Sequence, residues 1–233
     1  MLRRILLVLA LSLMASVVYA QEVIMNQPSA DIVDAGKLFV RSDSFYTQTP
    51  AYFFQQVNFA YGLGHNLEVS VNGNDLAHGP TIWAVIPGFK WAPIKTKNFE
   101  LYIGDQYWKP VSNFTWYHNG NVSYEAVAYK AGDWRFTGGS YQSVNAYRPG
   151  TTAGAIIGVE YGHNISKNWM IGPGADWASG SGSNGYFSPG LMFMYKGNFF
   201  VCPGYMIGNP HAINGAHQSF VMIGYTFGHG HGN

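Results

Sequence analysis

His217 and Ser219 are the residues whose types and spacing come nearest to catalytic chemistry in this sequence. A single residue separates them in a segment of alternating polarity, so a β-strand would place the imidazole and the hydroxyl on the same side. Such a histidine is able to activate the hydroxyl for attack on an ester, provided that a third group orients the imidazole. The sequence assigns no such third group, and we predict no catalytic residue.

Patterns that resemble metal or cofactor sites are incomplete. His229 and His231 lie in the C-terminal tail, residues 229–233, and two imidazoles do not complete a tetrahedral site. The segment from Gly180 to Gly185 matches the letters of a dinucleotide-binding motif, but no helix follows it to bind a pyrophosphate. We therefore predict no metal, no cofactor and a solvated tail.

The composition excludes several classes of protein. Only 11% of the 233 residues are charged, whereas about a quarter is usual for soluble domains. The 13 Lys+Arg against 12 Asp+Glu lack the basic excess of a nucleic-acid binder, and 16% aromatic content argues against disorder. Cys202 is the only cysteine, so no intramolecular disulfide forms.

The N-terminus predicts export. Arg3 and Arg4 precede an apolar run, and Ala20 supplies the small residue that a signal peptidase requires. We predict a signal peptide over residues 1–20 that is cleaved after Ala20. Residues 21–35 show no alternation, and we interpret them as a periplasmic lead-in or a short plug.

Alternation with a period of two residues recurs in segments of about ten residues, which predicts β-strands. Short connections alternate with longer polar ones, as in transmembrane barrels, and no apolar run after Ala20 reaches the roughly 18 residues of a spanning helix. We predict an all-β fold: a transmembrane antiparallel up-and-down β-barrel of about twelve strands over residues 36–228, with both termini on the periplasmic side. The approximate strands are 37–46, 51–61, 66–72, 81–91, 98–108, 122–130, 134–142, 153–162, 168–178, 186–196, 198–208 and 217–228.

Rows of alternate apolar residues predict the lipid-facing surface. Trp83 and Trp91 bound one such row, and Trp169 and Trp177 bound another. The eight-residue spacing within each pair corresponds to roughly 20 Å of height on tilted strands, close to the apolar band of a membrane barrel. We interpret the four tryptophans as membrane girdles and expect prolines inside such rows to mark β-bulges.

The opposite faces of the predicted strands carry charges. We predict a lumen charge belt near the short turns, formed by Glu68, Lys90, Glu100, Glu125, Arg135, Glu160 and Lys196. Buried charges need partners, and adjacent strands would supply them. Two interpretations stay open: ion pairs that fill a narrow lumen, or a selectivity ring whose mixed signs favour neither anions nor cations.

Lumen-facing positions near the C-terminus are apolar instead. They form a predicted apolar lumen wall of Met170, Met192, Met194, Cys202, Met206 and Met222. Because methionine fills gaps in packed interiors, this wall either closes the lumen or offers a track for a hydrophobic or aromatic solute.

Two segments resemble parts of bacterial outer-membrane β-barrels: the hairpin at 59–71, FAYGLGHNLEVSV, and the closing strand at 221–227, VMIGYTF. Over residues 34–228 the chain is similar to the barrel family grouped under the MetA pathway of phenol degradation. The aromatic residues Tyr225 and Phe227 resemble the C-terminal assembly signal of such barrels. The resemblance implies a channel or transport role for small aromatic or hydrophobic compounds and brings no catalytic residue.

Our main hypothesis is a monomeric outer-membrane channel or transporter for small solutes, in contact with outer-membrane lipid and without a nucleic-acid partner. Because the sequence assigns no complete catalytic set, we favour a protein that is not an enzyme. Three alternatives stay open: a lipid hydrolase that uses His217 and Ser219, a structural or adhesive barrel with a plugged lumen, and a soluble periplasmic or secreted β-sandwich.

Overall fold

The structure, a computed structural model, describes residues 32–48, 51–76, 84–110, 119–144, 151–179, 185–208 and 217–228. Four features of the sequence lie outside the described residues: the predicted signal peptide, the tail at 229–233, Trp83 and most of the segment from Gly180 to Gly185. No helix in the described part of the chain is long and apolar enough to cross a membrane. The strands are β1 (Leu38–Gln48), β2 (Ala51–Gly64), β3 (Leu67–Leu76), β4 (Ala84–Lys95), β5 (Phe99–Pro110), β6 (Gly120–Ala131), β7 (Trp134–Val144), β8 (Thr151–Tyr161), β9 (His163–Asn164), β10 (Trp169–Ala178), β11 (Tyr186–Tyr195), β12 (Phe199–Gly208) and β13 (His217–Phe227).

The strands form one closed antiparallel sheet. Sequence neighbours pair throughout, and β9 is a two-residue continuation of β8 beside β10, so the ring contains twelve strands of full length. The first and last strands close the ring through a ladder that runs from Leu38–Phe227 to Thr47–Gln218. The predicted up-and-down barrel is confirmed, and the two-sheet sandwich is wrong.

Exposure alternates along the strands because successive side chains point to opposite faces of a sheet. In β13, for example, Phe220 and Met222 are buried, whereas Val221 and Ile223 are exposed. In a closed barrel these two rows are the lumen side and the outward side. The same alternation assigns inward and outward positions on the other strands.

The described hairpin connections lie at one end of the barrel, which we call the tight-turn end, at residues 65–66, 96–98, 132–133, 165–168 and 196–198. Between β2 and β3, His65 and Asn66 have φ angles of 51° and 58°. Positive φ at both positions twists a two-residue turn in the same sense as its strands, which allows a tight hairpin. The first residue of β1 and the last of β13 pair at this same end.

Two prolines in the predicted outward rows leave the strand register unchanged. Pro173 and Pro203 lie in ladders whose register is continuous. Register shifts occur between Gly62 and Gly64 in β2 and between Trp91 and Ile94 in β4, and the second interval contains Pro93. The expectation that prolines inside these rows mark bulges is therefore wrong for Pro173 and Pro203, because the loss of one donor does not change the register of these ladders.

Candidate functional site in the barrel lumen

One wall of the lumen near the tight-turn end is built from ion pairs. Glu68 of β3 and Lys90 of β4 are register partners on the inward face, and Lys90 Nζ lies 3.3 Å from Glu68 Oε1. Both side chains are buried, at 7% and 8% exposure. Burial weakens solvent screening, so each charge depends on the other for compensation.

Glu100 of β5 is the centre of a larger cluster. Its Oε1 lies 3.9 Å from Nζ of Lys95 and 3.8 Å from Nζ of Lys130, while its Oε2 lies 3.5 Å from Nη2 of Arg135. The three cations come from β4, β6 and β7, and the Glu100 side chain is 4% exposed. One buried carboxylate therefore joins four neighbouring strands at the lumen side.

Further buried charges face the lumen from other strands, and sequence reasoning missed some of them. Arg41 and Asp43 of β1 form a pair in which Nη2 lies 2.9 Å from Oδ2 and Nε donates to the same oxygen at 3.0 Å. Asp176 is buried opposite Gly158, and the predicted Glu160 faces inward as the register partner of Arg135. Strand β10 is mostly apolar in sequence, so its single charge gave no clear signal, whereas β1 is mixed in polarity and its charges were not assigned to a face.

Two predicted members of the charge belt lie elsewhere. Glu125 is exposed on the outward face of β6, where Ser140 Oγ of β7 donates a 3.2 Å hydrogen bond to its Oε1. Lys196 is exposed in the turn after β11, with φ of 50°, and its Nζ lies 5.2 Å from the centre of the Tyr195 ring. Glu125 was assigned to the wrong face and Lys196 to a strand that has already ended, so neither contributes to the lumen.

The predicted apolar wall is assembled as one cluster. Met192, Met194, Cys202 and Met222 are buried there, and Met170 and Met206 pack against them. The same cluster contains four aromatic residues: Phe200 and Phe220, which the alternation of their strands already predicts to face inward, and Phe39 and Phe45 of β1, which sequence reasoning did not assign to this wall. Phe39 stacks on Phe200 at 6.0 Å between ring centres, and Phe45 lies 6.2 Å from Phe220.

The segment before β1 enters the lumen at the tight-turn end. Val33 is 3% exposed and packs in the apolar cluster, whereas Ile32 is 7% exposed and packs in a second cluster with Tyr102 and Tyr124. Gly36 N–H donates to the carbonyl of Gly62 at 2.9 Å. A Cβ at Gly62 would collide with the backbone carbonyls of this segment, so glycine is required for the close approach.

Three of the predicted girdle tryptophans are described, and all three point outward. Trp91, Trp169 and Trp177 are 42–43% exposed. Trp91 and Trp169 lie near the tight-turn end, and Trp177 lies near the opposite end of β10. This arrangement is typical of aromatic girdles at the two edges of an apolar band.

His217 and Ser219 also lie on the outward face, at the start of β13. The His217 ring stacks on Tyr205 of β12 at 6.1 Å between ring centres. The pair is therefore outside the lumen and separate from the ion pairs. Among the described residues, no group of three His, Cys, Asp or Glu side chains could hold a metal ion.

Comparisons with known proteins identify the fold of this chain but no family to which it belongs. No family model matches the sequence, and no curated protein matches it. The NanC porin superposes with a TM-score of 0.59 at 11% identity, covering 82% of this chain and 100% of the porin. The KdgM porin gives 0.57 at 12% identity, covering 82% of this chain and 99% of the porin.

A third solved structure is similar over a larger part of the chain. The COG4313 outer membrane channel from Pseudomonas putida F1 gives a TM-score of 0.52 at 10% identity, covering 88% of this chain and 100% of the channel. Likeness at such identities shows that this chain has the fold of outer-membrane β-barrels. The resemblance to the phenol-degradation barrel family stays a prediction.

Proposed function

We propose that this protein is an outer-membrane channel for small solutes, closed at its tight-turn end by the segment at residues 32–36. The observation that carries the proposal is the position of that segment. Ile32 packs against one wall and Val33 against the other, so the segment bridges the lumen where the ion pairs lie. We call residues 32–36 the plug segment, and we place the tight-turn end in the periplasm.

The fold and the outward face support a membrane channel. The NanC and KdgM porins and the COG4313 channel share this barrel architecture. The outward tryptophans at two heights match an apolar band, and the predicted signal peptide provides the route of export. In such an architecture, a solute passes through the lumen that the closed ring of strands surrounds.

The apolar wall supports a small neutral aromatic solute as the cargo. Cys202 and Met222 are 0% exposed and Met194 is 2% exposed, with the aromatic rings of β1 and β12 beside them, so a solute reaches this wall only when the packed side chains move apart. Thioether and aromatic groups interact favourably with aromatic rings, and they carry no positive charge to bind an anion. The KdgM porin has been solved in complex with disordered oligogalacturonate, a polyanion; beside the apolar wall of this chain, the inward cation of β1, Arg41, is already paired with Asp43.

The plug segment gives the proposal a direct test. Gly62→Ala places a methyl group against the carbonyls of Val33 and Asp34 and should displace the segment, whereas a Cβ at Gly73 of β3 meets nothing within 4 Å. We expect planar bilayers that contain the chain from Gln21 to Asn233 to show rare openings. Gly62→Ala should raise the open probability by about tenfold, the ratio produced by a loss of about 1.4 kcal/mol of closing energy. Gly73→Ala should behave as the unaltered protein.

Other outcomes would contradict the proposal in different ways. Frequent openings in the unaltered protein, with no change on Gly62→Ala, would show a channel that the plug segment does not close. Silence of all three proteins, each folded and inserted, would favour the structural barrel with a filled lumen.

A further inference from the structure

Uncharged polar side chains line the lumen on β2, β3 and β5. Each lies in the inward row of its strand, which on β2 contains buried Ala60 and on β5 contains buried Tyr102. We call this lining the amide strip, and it consists of Gln56, Asn58, Ser70, Asn72 and Gln106. Four of these side chains end in an amide and the fifth in a hydroxyl, so the strip carries donors and acceptors but no charge.

The amide strip is continuous and faces the apolar wall. Asn58 and Asn72 are register partners on β2 and β3. Gly88 of β4 pairs with Ser70 on one side and with Gln106 on the other, so the strip extends to β5. In the ring of twelve strands, β4 lies opposite β11, which carries two methionines of the apolar wall. The lumen is therefore polar on one side and apolar on the other.

The two linings differ in accessible surface. Cys202 and Met194 of the apolar wall are 0% and 2% exposed. All members of the amide strip except Asn72 are half-buried. An inward side chain is exposed only to the lumen, so open space lies beside the amide strip and not beside the apolar wall. A solute in the lumen therefore meets amides before it meets thioethers.

The charges that border the amide strip are paired. Arg41, the register partner of Asn58, is paired with Asp43. Glu68, in the inward row of β3, is paired with Lys90. These pairs leave the strip without net charge, so it presents amide and hydroxyl dipoles that suit an uncharged solute.

Three oxygen atoms at the amide strip lack donors. Among the described residues, Oδ1 of Asn58, Oδ1 of Asn72 and Oδ1 of neighbouring Asp43 are buried and accept no hydrogen bond. A buried acceptor without a donor costs free energy. The terminal torsion of asparagine is broad, so the two amides can turn their oxygens toward a donor that arrives in the lumen. Hydroxyl groups supply such donors.

We infer that the amide strip takes a second class of solute, small uncharged polyols, along the side of the lumen opposite the apolar wall. Each hydroxyl of a polyol donates one hydrogen bond and accepts others, which matches amides whose oxygens lack donors and whose N–H groups donate. The inference rests on the proposed channel. The plug segment would close the same path, because Glu68, the acceptor for Val33, lies two residues before Ser70.

One substitution places a thiol at each lining of the lumen. Ser70→Cys adds a thiol to the amide strip, and the native Cys202 remains in the apolar wall as the matched control. Each position is the fourth residue of its strand from the tight-turn end, counted from Leu67 of β3 and from Phe199 of β12. The two thiols therefore lie at a similar depth in the barrel and differ in their lining.

The variant, as the chain from Gln21 to Asn233 in phospholipid vesicles, is treated with a membrane-impermeant methanethiosulfonate, and mass spectrometry of the digest measures each thiol. We expect position 70 to react at least about tenfold faster than Cys202, because a buried thiol reacts only while its surroundings are locally open. Equal rates would overturn the inference. If Ser70→Cys does not fold, as judged by the heat-dependent shift of the barrel on a gel, Gln56→Cys replaces it, since Gln56 is also half-buried.

Xylitol is the probe for the solute. It should slow the reaction at position 70 in a saturable manner, by about tenfold at ten times its Kd. Pentane-1,5-diol, which has the carbon chain of xylitol but hydroxyls at its ends alone, should slow the reaction far less at equal concentration. Adding Asn72→Leu should remove most of the xylitol effect, whereas Thr137→Val, an inward change on β7 outside the strip, should preserve it.

Three further results would overturn the inference. A reaction at position 70 that xylitol does not slow would show a path for water alone. Equal slowing by xylitol and pentane-1,5-diol would show that the internal hydroxyls are not recognised, and an undiminished xylitol effect in Asn72→Leu would remove the amide from the site.

Adding Gly62→Ala to Ser70→Cys tests the proposed closure separately. We expect a faster reaction at position 70 when the plug segment is displaced. An unchanged rate would count against closure by the plug segment and would leave the polyol site of the amide strip supported by the xylitol effect.

Discussion

The backbone N–H of Val33 donates a 2.8 Å hydrogen bond to Oε2 of Glu68, the carboxylate whose Oε1 lies 3.3 Å from Nζ of Lys90. One buried carboxylate therefore holds the plug segment with one oxygen and the lumen ion pair with the other. In the proposed channel, Glu68 couples the ion pairs to the closure of the lumen, and changes at Glu68 should separate the two roles.

Glu68→Ala removes both the acceptor for Val33 and the partner of Lys90, whereas Glu68→Gln removes the charge and keeps an acceptor oxygen. We expect Glu68→Ala to open the channel more often than Glu68→Gln in planar bilayers. Both should lower the free energy of unfolding by about 3–5 kcal/mol, because the buried charge of Lys90 loses the carboxylate that lies 3.3 Å away. Urea unfolding measures the second effect.

Lys90→Met is the control for this pair, since it breaks the ion pair and leaves Glu68 available to Val33. It should destabilise the barrel without a rise in open probability. Opening by Lys90→Met as strong as that by Glu68→Ala would show that charge, and not the hydrogen bond, retains the plug segment.

Glu100→Gln should destabilise the barrel more than any other single carboxylate-to-amide change in the lumen. Glu100 faces Lys95, Lys130 and Arg135, and removal of its charge leaves these cations to repel one another in a buried environment. We expect a loss of about 3–5 kcal/mol, measured by urea unfolding in vesicles. Glu125→Gln, on the outward face, provides the matched control with no loss of lumen charge. Equal effects from both changes would contradict the importance of this cluster.

Met222→Ala should widen the apolar track. Met222 is 0% exposed in the cluster of the apolar wall, so truncation leaves a cavity and costs about 2–5 kcal/mol of stability. We expect faster entry of phenol into vesicles that contain the variant, with little change in ion conductance. Met206→Ala, at the partly buried edge of the cluster, should have a smaller effect. Equal increases for ions and phenol would indicate one common water-filled path instead.

Ser219→Ala should leave channel properties and folding unchanged. Ser219 faces outward on β13, away from the lumen, and the ring of nearby His217 stacks on Tyr205. A surface hydroxyl of this kind contributes little to stability. Phospholipid hydrolysis by the purified protein, lost on Ser219→Ala, would establish the hydrolase alternative and count against a purely transport role.

The periodicity of the sequence predicted the strands and most of their faces, because side chains two residues apart share one side of a strand. It failed at β6, where Glu125 and Lys130 lie on opposite faces. Both rows of β6 are mixed in polarity. Which row of β6 faces the lumen depends on the packing of Tyr102 and Tyr124. Their rings lie 6.4 Å apart and occupy the lumen beside the small inward residues Ala126 and Ala128.

The sequence alone therefore predicted an all-β barrel, its approximate strands and the apolar lumen wall near the C-terminus, since these depend on local patterns. Only the tertiary structure decided which residues from distant parts of the chain contact each other in the barrel. The closing ladder places Asp43 opposite Met222, and the plug segment reaches Glu68 from before β1. Such contacts join residues far apart in the chain, and their partners are set by closure of the ring and by the space left inside it, which a period of two residues does not encode.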